Sequence, residues 1–473
     1  MSKSDSAALR RILTDNLQRG AETGAALRRV ATAVVAMFVC SVSIAGTGQL
    51  ARRPPMGWNS YDAYGTTITE AQFRANVRWM SQHLRRYGWR YAVIDAEWFV
   101  RNPMPSGGAH GSVMTVDRYG RYLPAPNRFP SAAGGKGFGP LAQYVHALGL
   151  KFGIHILRGI PVQAVQEDLP IAGSAFRARQ AAVANAPCPW NPDNDGVAAN
   201  AAGQAYYDSI VRLYARWGVD FIKADCIASH PYAAAEIGML ARAVRAAGRP
   251  MVLSLSPGPA PRSRLAQLRR DANLWRISND VWDLWRSSKP YPQGLENQFR
   301  RLARWAPLAR SGHWPDADML AIGYLGPKPG LGSARWSRLT HAEQRTYMTL
   351  WCIARSPLMI GANLTRMNRW TLSLLDDPQV IAVDQQARDA RQVLARHAFV
   401  VWTSRPQHGG GWYLAAFNLA ARPRTLNVPW RELGLVPGHY RLRDLWQRRT
   451  LGRANALKVR LAAHGSVLYR LRR

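Results

Sequence analysis

A chain of 473 residues with 47% hydrophobic content is long enough to bury a large core, which excludes a disordered protein and leaves room for one large domain with a smaller companion. Its 63 Lys and Arg against 29 Asp and Glu give a net charge of +34, a field that attracts polyanions without a dedicated site. The basic residues are spread as single arginines and pairs such as Arg269-Arg270 and Arg448-Arg449 rather than runs, so they read as solvated faces and argue against a specific nucleic-acid partner.

Four cysteines in so long a chain do not make a disulfide framework. The 18 Trp and 17 Tyr supply flat apolar rings with a polar edge, a common lining of sugar-binding clefts.

Residues 1–30 are polar and basic, and residues 31–45 read ATAVVAMFVCSVSIA. That apolar run falls short of the roughly 20 residues of an ordinary membrane span, and Ser43 and Ala45 are small residues spaced for signal cleavage. Residues 1–50 are therefore expected to form a signal peptide, placing the mature chain outside the cell or in the periplasm. If uncleaved, the segment is an N-terminal anchor and the expected membrane contact. Cys40 lies within it. Of Cys188, Cys226 and Cys352, at least one is unpaired, and spacing alone leaves a Cys188–Cys226 bridge open.

From residue 51 to about 388, short apolar runs alternate with polar loops and longer helical patterns, the texture of parallel strands with crossover helices. Eight strands are expected, around Met56–Ser60, Tyr91–Trp98, Phe152–Ile156, Phe221–Cys226, Met251–Ser256, Leu274–Asn279, His313–Leu320 and Leu358–Ala362, the number that closes a (β/α)8 TIM barrel. Between the third and fourth, Tyr206, Ile210, Leu213 and Trp217 share one helical face before a stop at Gly218. Residues 389–473 carry runs such as HAFVVWTS and GWYLAAFNL, expected to form a C-terminal antiparallel β-sandwich.

Barrel active sites lie at the C-terminal strand ends, and here those ends are acidic: Asp95 and Glu97 on strand two, Lys223 with Asp225 on strand four, Arg276 with Asp280 on strand six, Asp316 and Asp318 on strand seven. Opposed carboxyl groups suffice to cleave a glycosidic bond, one protonating the leaving oxygen and one attacking or stabilising the anomeric carbon. No HExxH, paired CxxC, nucleotide-binding glycine motif or GxSxG is present, so no metal or other cofactor is expected.

The segments PPMGWNSYDAYG (54–65), YAVIDAEWF (91–99), GIHILRGIP (153–161), WGVDFIKADC (217–226), WRISNDVWDLW (275–285), WPDADML (314–320) and SPLMIGANL (356–364), with RDLW (443–446) in the C-terminal region, resemble glycoside hydrolase family 27, the family of α-galactosidases and α-N-acetylgalactosaminidases. The resemblance implies a retaining exo-glycosidase that releases terminal α-D-galactosyl units from oligosaccharides or polysaccharides through a covalent glycosyl-aspartate intermediate. It places the nucleophile at Asp225 beside Lys223, and the acid/base at Asp280, with Arg276 contacting the sugar and the nucleophile. Asp95 and Asp318 would bind sugar hydroxyls, and Trp58 and Trp98 would supply apolar walls. Period-two alternation independently puts Lys223 and Asp225 on one side of their strand.

Departures from the family pattern concern the sugar. Asp95-Ala96-Glu97-Trp98 stands where many α-galactosidases carry two adjacent acids followed by Cys-Trp; alternation then sets Glu97 on the side of Asp95, where it would replace the acid missing at 96. Tyr61 stands where Trp is common, and His155 where Tyr is common. Ser256 replaces a frequent Glu near the sugar's 2-position, and a small residue there admits a 2-acetamido group. The alternatives are therefore the same chemistry on α-N-acetylgalactosamine, β-L-arabinopyranose or an isomaltose-type sugar, or a sugar-binding protein without turnover.

His155 and Arg158 follow strand three toward the rim. Trp190 and Asn191 form either a lid over the pocket or a surface loop anchored by one Trp. Cys226 reads as a buried inert thiol, and Trp282 and Trp285 as packing for the helix after strand six. On this reading the mature protein begins at Gly46; N-terminal sequencing of exported protein should return that residue, and an intact membrane-bound Met1 would overturn the cleavage.

Overall fold

The computed structural model describes residues 50–107 and 113–473; all but the last residue of the expected signal segment 1–50 lies outside them. Eight parallel strands form one sheet: β1 (Met56–Asn59), β2 (Tyr91–Ile94), β3 (Lys151–Leu157), β4 (Phe221–Asp225), β5 (Val252–Leu255), β6 (Leu274–Arg276), β7 (Trp314–Asp316) and β8 (Leu358–Ile360). Their spatial order is β7-β6-β5-β4-β3-β2-β1-β8. The ring closes just beyond β7, where Leu320 bridges Ile360 in parallel; Leu320 N–H donates to the Met359 carbonyl at 2.7 Å and Gly361 N–H to the Leu320 carbonyl at 3.2 Å.

Between strands run the helices: a single turn α1 (Tyr61–Tyr64) and α2 (Glu70–His83) after β1, α3 (Gly139–Ala147), α4 (Ala201–Trp217), α5 (Ala234–Ala246), α6 (Leu265–Asp271), α7 (Leu295–Trp305) and α8 (His341–Ala354). Local chemistry sets their ends. Thr69 and Gln72 form a reciprocal capping box at α2, as Thr340 and Glu343 do at α8, each satisfying otherwise unpaired N–H groups. The α4 helix starts on Asn200, whose side chain accepts from Gly203 N–H, and stops at Gly218 in the left-handed region; Tyr206, Ile210, Leu213 and Trp217 are all buried, as their spacing predicts.

Alternation divides each strand between two cores. Val93, Phe221, Val252, Leu274, Trp314 and Met359 fill the barrel interior, while their neighbours Ala92, Ile94, Ile222, Leu253, Trp275, Leu358 and Ile360 pack outward under the helices. On β1, Gly57 sits opposite Tyr91, so close that a β-carbon at 57 would lie 2.2 Å from the Tyr91 carbonyl oxygen.

Beyond the barrel, β9 (Ala387–Arg396), β10 (Phe399–Pro406), β11 (Trp412–Asn418), β12 (Arg424–Pro429), β13 (Tyr440–Asp444), β14 (Arg449–Ala454), β15 (Ala456–Leu461) and β16 (Ser466–Arg472) make a six-stranded antiparallel sheet, β9-β10-β11-β16-β13-β14, and the pair β12-β15. The two enclose Val401, Leu414, Leu426, Val428, Trp430, Leu457 and Leu471. This sandwich is keyed to α8: Trp446 Nε1 donates to Thr349 Oγ1 at 2.9 Å, Thr346 Oγ1 donates to the His464 carbonyl at 2.7 Å, and the His464 ring lies 2.6 Å from Glu343 Oε1. Trp285 stacks on His464 at 3.9 Å between ring centroids, so it joins the barrel to the sandwich instead of packing only its own helix.

Gly57→Ala should cost about 1–3 kcal/mol, because the new methyl meets backbone rather than a movable side chain; chemical denaturation of the variant checks this, and wild-type stability would show that β1 and β2 can separate at no cost.

Candidate active site

The alternation that fills the barrel interior with apolar rings lower down places polar groups at its C-terminal mouth. On β4, Phe221 packs inside the barrel; two and four residues on, Lys223 and Asp225 line a cavity of about 530 Å³ at the mouth, a size in the usual range for small-molecule sites. Asp95, His155, Ser256, Arg276, Asp280 and Asp318 line the same cavity.

Two ion-paired groups organise its floor. Lys223 Nζ lies 2.8 Å from Asp95 Oδ2, which also accepts from Asn59 Nδ2 at 2.6 Å. Burial raises the Asp95 carboxyl, but Lys223, His155 and Asn59 outweigh it and hold the group below its usual range. Arg276 Nη1 lies 2.8 Å from Asp318 Oδ1 and its Nη2 3.1 Å from Asp280 Oδ1, so it bridges strands six and seven. It pairs with those two acids and not with Asp225. Asp318 also accepts from Val281 N–H at 2.7 Å; burial nevertheless drives its carboxyl well up, against Arg276 and with help from Asp280 and Asp316.

Asp225 has a different environment. Its Oδ2 is 3.2 Å from His155 Nε2, and its Oδ1 accepts from Cys226 N–H at 2.8 Å and Ser256 Oγ at 3.0 Å. Burial works against the anion, yet His155, Lys223 and the Cys226 amide overcome it and hold Asp225 far below the ordinary carboxylate range. Asp280, by contrast, stands at the mouth with 38% of its side chain exposed. The cavity thus offers a carboxylate fixed as an anion on the floor and a second, solvent-accessible carboxyl near the opening.

The rim is anchored covalently. Cys188 and Cys226 form a disulfide with Cα atoms 5.9 Å apart, so Cys226 is no free thiol, and the free cysteine among the described residues is buried Cys352. The bridge ties the loop carrying Trp190 and Asn191 to the residue after Asp225. Both loop residues line the cavity, Trp190 with 46% exposure, which settles the loop as part of the pocket wall.

Most of the expected site residues meet here, with four corrections. Trp58 is fully buried in the outer core, packed on Phe73 and donating from Nε1 to the Ala362 carbonyl at 2.8 Å; alternation gives the inward place to Asn59. Trp98 is likewise buried among Phe99, Phe138 and Trp217. The apolar walls are instead Tyr61, Phe99, Trp282 and Tyr291. Glu97 does line the cavity, but not by strand alternation: β2 ends at Ile94, and Glu97 sits in a turn at φ +57°, where Asn191 Nδ2 donates to its Oε1 at 3.4 Å. Arg158 turns away to a buried pair with Glu236 at 2.7 Å. Asp62, not among the expected residues, is a buried carboxyl on the cavity wall. Its signal was available: it is an acid three residues past the end of β1, the same rim position that singled out the others.

Comparison with known proteins agrees with this geometry. Residues 194–386 match the family model described as alpha galactosidase A, and residues 396–471 the alpha galactosidase C-terminal beta sandwich domain. A family 27 β-L-arabinopyranosidase from Geobacillus stearothermophilus is 44% identical with a TM-score of 0.86, covering 90% of this chain and 98% of its own. A protein from Bacillus halodurans described as a putative α-N-acetylgalactosaminidase is 40% identical with a TM-score of 0.77, covering 88% of this chain and 97% of its own. Alpha-galactosidase D of Emericella nidulans is 28% identical over 445 residues, 89% of this chain, which spans 56% of that longer protein. The chain belongs to glycoside hydrolase family 27.

Lys223→Met would leave Asp95 and Asp225 without their shared cation and should cost about 3–5 kcal/mol at neutral pH. Both carboxyls sit below their unfolded values, so the stability they contribute is present above about pH 5 and is lost as pH falls; denaturation across pH should show the gap between wild type and variant narrowing toward acid. A gap that widens toward acid would contradict this charge arrangement.

Proposed function

We propose that this family 27 hydrolase is a retaining exo-glycosidase, in which Asp225 attacks the anomeric carbon and Asp280 serves as acid and then base. The observation that carries the reading is the contrast between the two carboxyl groups of one cavity: Asp225 is held as an anion by His155, Lys223 and the Cys226 amide, whereas Asp280 stands near the opening, where a leaving group departs and water enters.

In the first step the Asp225 carboxylate forms a bond to C1 while Asp280 gives its proton to the departing glycosidic oxygen; in the second, Asp280 removes a proton from water as that water displaces Asp225, returning both groups to their initial states. Arg276, bonded to Asp280, keeps that side chain over the bond being broken. Asp95, Lys223 and Asp318 bind the ring hydroxyls, and Ser256 leaves space beside the 2-position.

The sugar is one of galacto configuration. α-D-Galactopyranosides and β-L-arabinopyranosides present the same ring stereochemistry and differ in the C6 hydroxymethyl group. The 44% identity with the Geobacillus arabinopyranosidase, against 28% with the Emericella α-galactosidase, and alanine at position 96 in place of a hydroxyl-binding acid favour β-L-arabinopyranosides as the better substrate, with α-D-galactosides also cleaved.

Assays with the two 4-nitrophenyl glycosides should show turnover of both and a higher kcat/KM for the β-L-arabinopyranoside; inactivity on both would refute the reading. Proton NMR of the first-formed sugar should show the substrate's anomeric configuration, and the opposite anomer would make the enzyme inverting. Asp225→Asn should lower kcat by roughly 10³-fold or more. Asp280→Asn should lose about 10²–10⁴-fold on substrates with poor leaving groups and less on nitrophenyl glycosides, whose leaving group needs little protonation.

A further inference from the structure

One carboxyl group of the cavity takes no part in the ion pairs of the floor. Asp62, in the single-turn helix α1, is 1% exposed and lines the same cavity as Asp225 and Asp280. Asn59 Nδ2 and Lys223 Nζ donate to Asp95 and not to Asp62. Asp62 Oδ2 is buried without a hydrogen-bond partner among the described residues. On one side the carboxyl is stopped by backbone, for a β-carbon at Gly361 would lie 1.9 Å from Oδ2. A buried polar group in this state carries a desolvation cost that a partner would remove, and the residue that bears it lines the cavity.

We propose that Asp62 is a specificity residue whose carboxyl hydrogen-bonds a ring hydroxyl of the bound sugar on the side away from the anomeric carbon. The placement follows from the ring of strands. With eight strands closed in the observed order, β1 stands opposite β5, and Ser256, directly after β5, touches Asp225. A pyranose with C1 over Asp225 therefore directs its C3–C4 edge toward the wall that carries Asp62. Burial raises the Asp62 carboxyl well above its usual range, Asp318, Asp280 and Asp95 push it the same way, and Lys223 opposes them only in part. Asp62 is thereby pushed toward its protonated, hydrogen-bond-donating form, and Asp95 beside it toward the anion that accepts.

The inference rests on the glycosidase reading, and its test separates the two. Wild type, Asp62→Ala and Asp62→Asn are assayed on the better 4-nitrophenyl glycoside and on its 3-deoxy and 4-deoxy analogues, with melting temperatures in parallel. Wild type should prefer the parent over one of the analogues by about tenfold or more. In Asp62→Ala, kcat/KM on the parent should drop by a similar factor and that preference should collapse to within about twofold, while the melting temperature holds or rises because an unpartnered buried group has gone. Asp62→Asn, which keeps a donor of the same shape, should restore part of the preference. If Asp62→Ala loses stability and slows on parent and deoxy sugars alike, or keeps the wild-type discrimination, Asp62 is structural and the inference falls while the glycosidase reading stands. Inactive wild type on every glycoside would overturn both.

Discussion

The site depends on one electrostatic constraint: Asp62, Asp95, Asp225, Asp280, Asp316 and Asp318 crowd one barrel mouth, with Lys223, Arg276 and His155 as the cations or donors among them. Carboxylates taken out of water without compensation cost several kcal/mol each, so each has its own settlement. Asp95 takes the lysine and an amide, Asp225 takes a histidine, a hydroxyl and a backbone N–H, and Asp318 takes the arginine and another backbone N–H. Asp62 Oδ2 has no such partner among the described residues, and burial pushes its carboxyl toward the protonated form. The different protonation behaviours that acid and base chemistry needs thus follow from sharing too few cations among too many acids.

Backbone irregularity at the strand ends serves the same settlement. Glu97, Cys226 and Asp318 all have positive φ, a conformation that costs energy for residues with side chains. At Cys226 it accompanies an amide turned back onto Asp225, and at Asp318 a side chain aimed at Arg276 and the Val281 amide.

That break in regularity also divides what the sequence made legible from what it did not. All eight strands were readable from apolar runs, and Lys223 with Asp225 from period-two spacing, because up to Asp225 the chain is still a strand. Glu97 was placed by the same rule beyond the end of its strand, where the rule has no force, and it reached the cavity through a turn. The family resemblance puts Trp58 and Trp98 on the pocket walls, yet the outer barrel core needs large rings too, and alternation sends Trp58 there. Asp62 lies past the end of β1 in the single turn α1, where strand periodicity no longer says which way a side chain faces. The Cys188–Cys226 pairing is a contact between elements 38 residues apart, which no local pattern encodes.

The closing seam of the barrel sets an order of events during synthesis. Trp58 bonds to Ala362 across 304 residues, and Asp62 is confined by Gly361, so the first strand acquires its second neighbour only when the eighth has been made. At about 5–20 residues per second a ribosome takes on the order of 15–60 s to travel that distance. Throughout that interval β1 has an unpaired edge and Trp58 lacks the carbonyl that receives its indole. The cavity is therefore among the last parts of the barrel to form, and a nascent chain halted before residue 361 carries both Asp225 and Asp280 yet has no completed wall at Asp62 against which a sugar could be held.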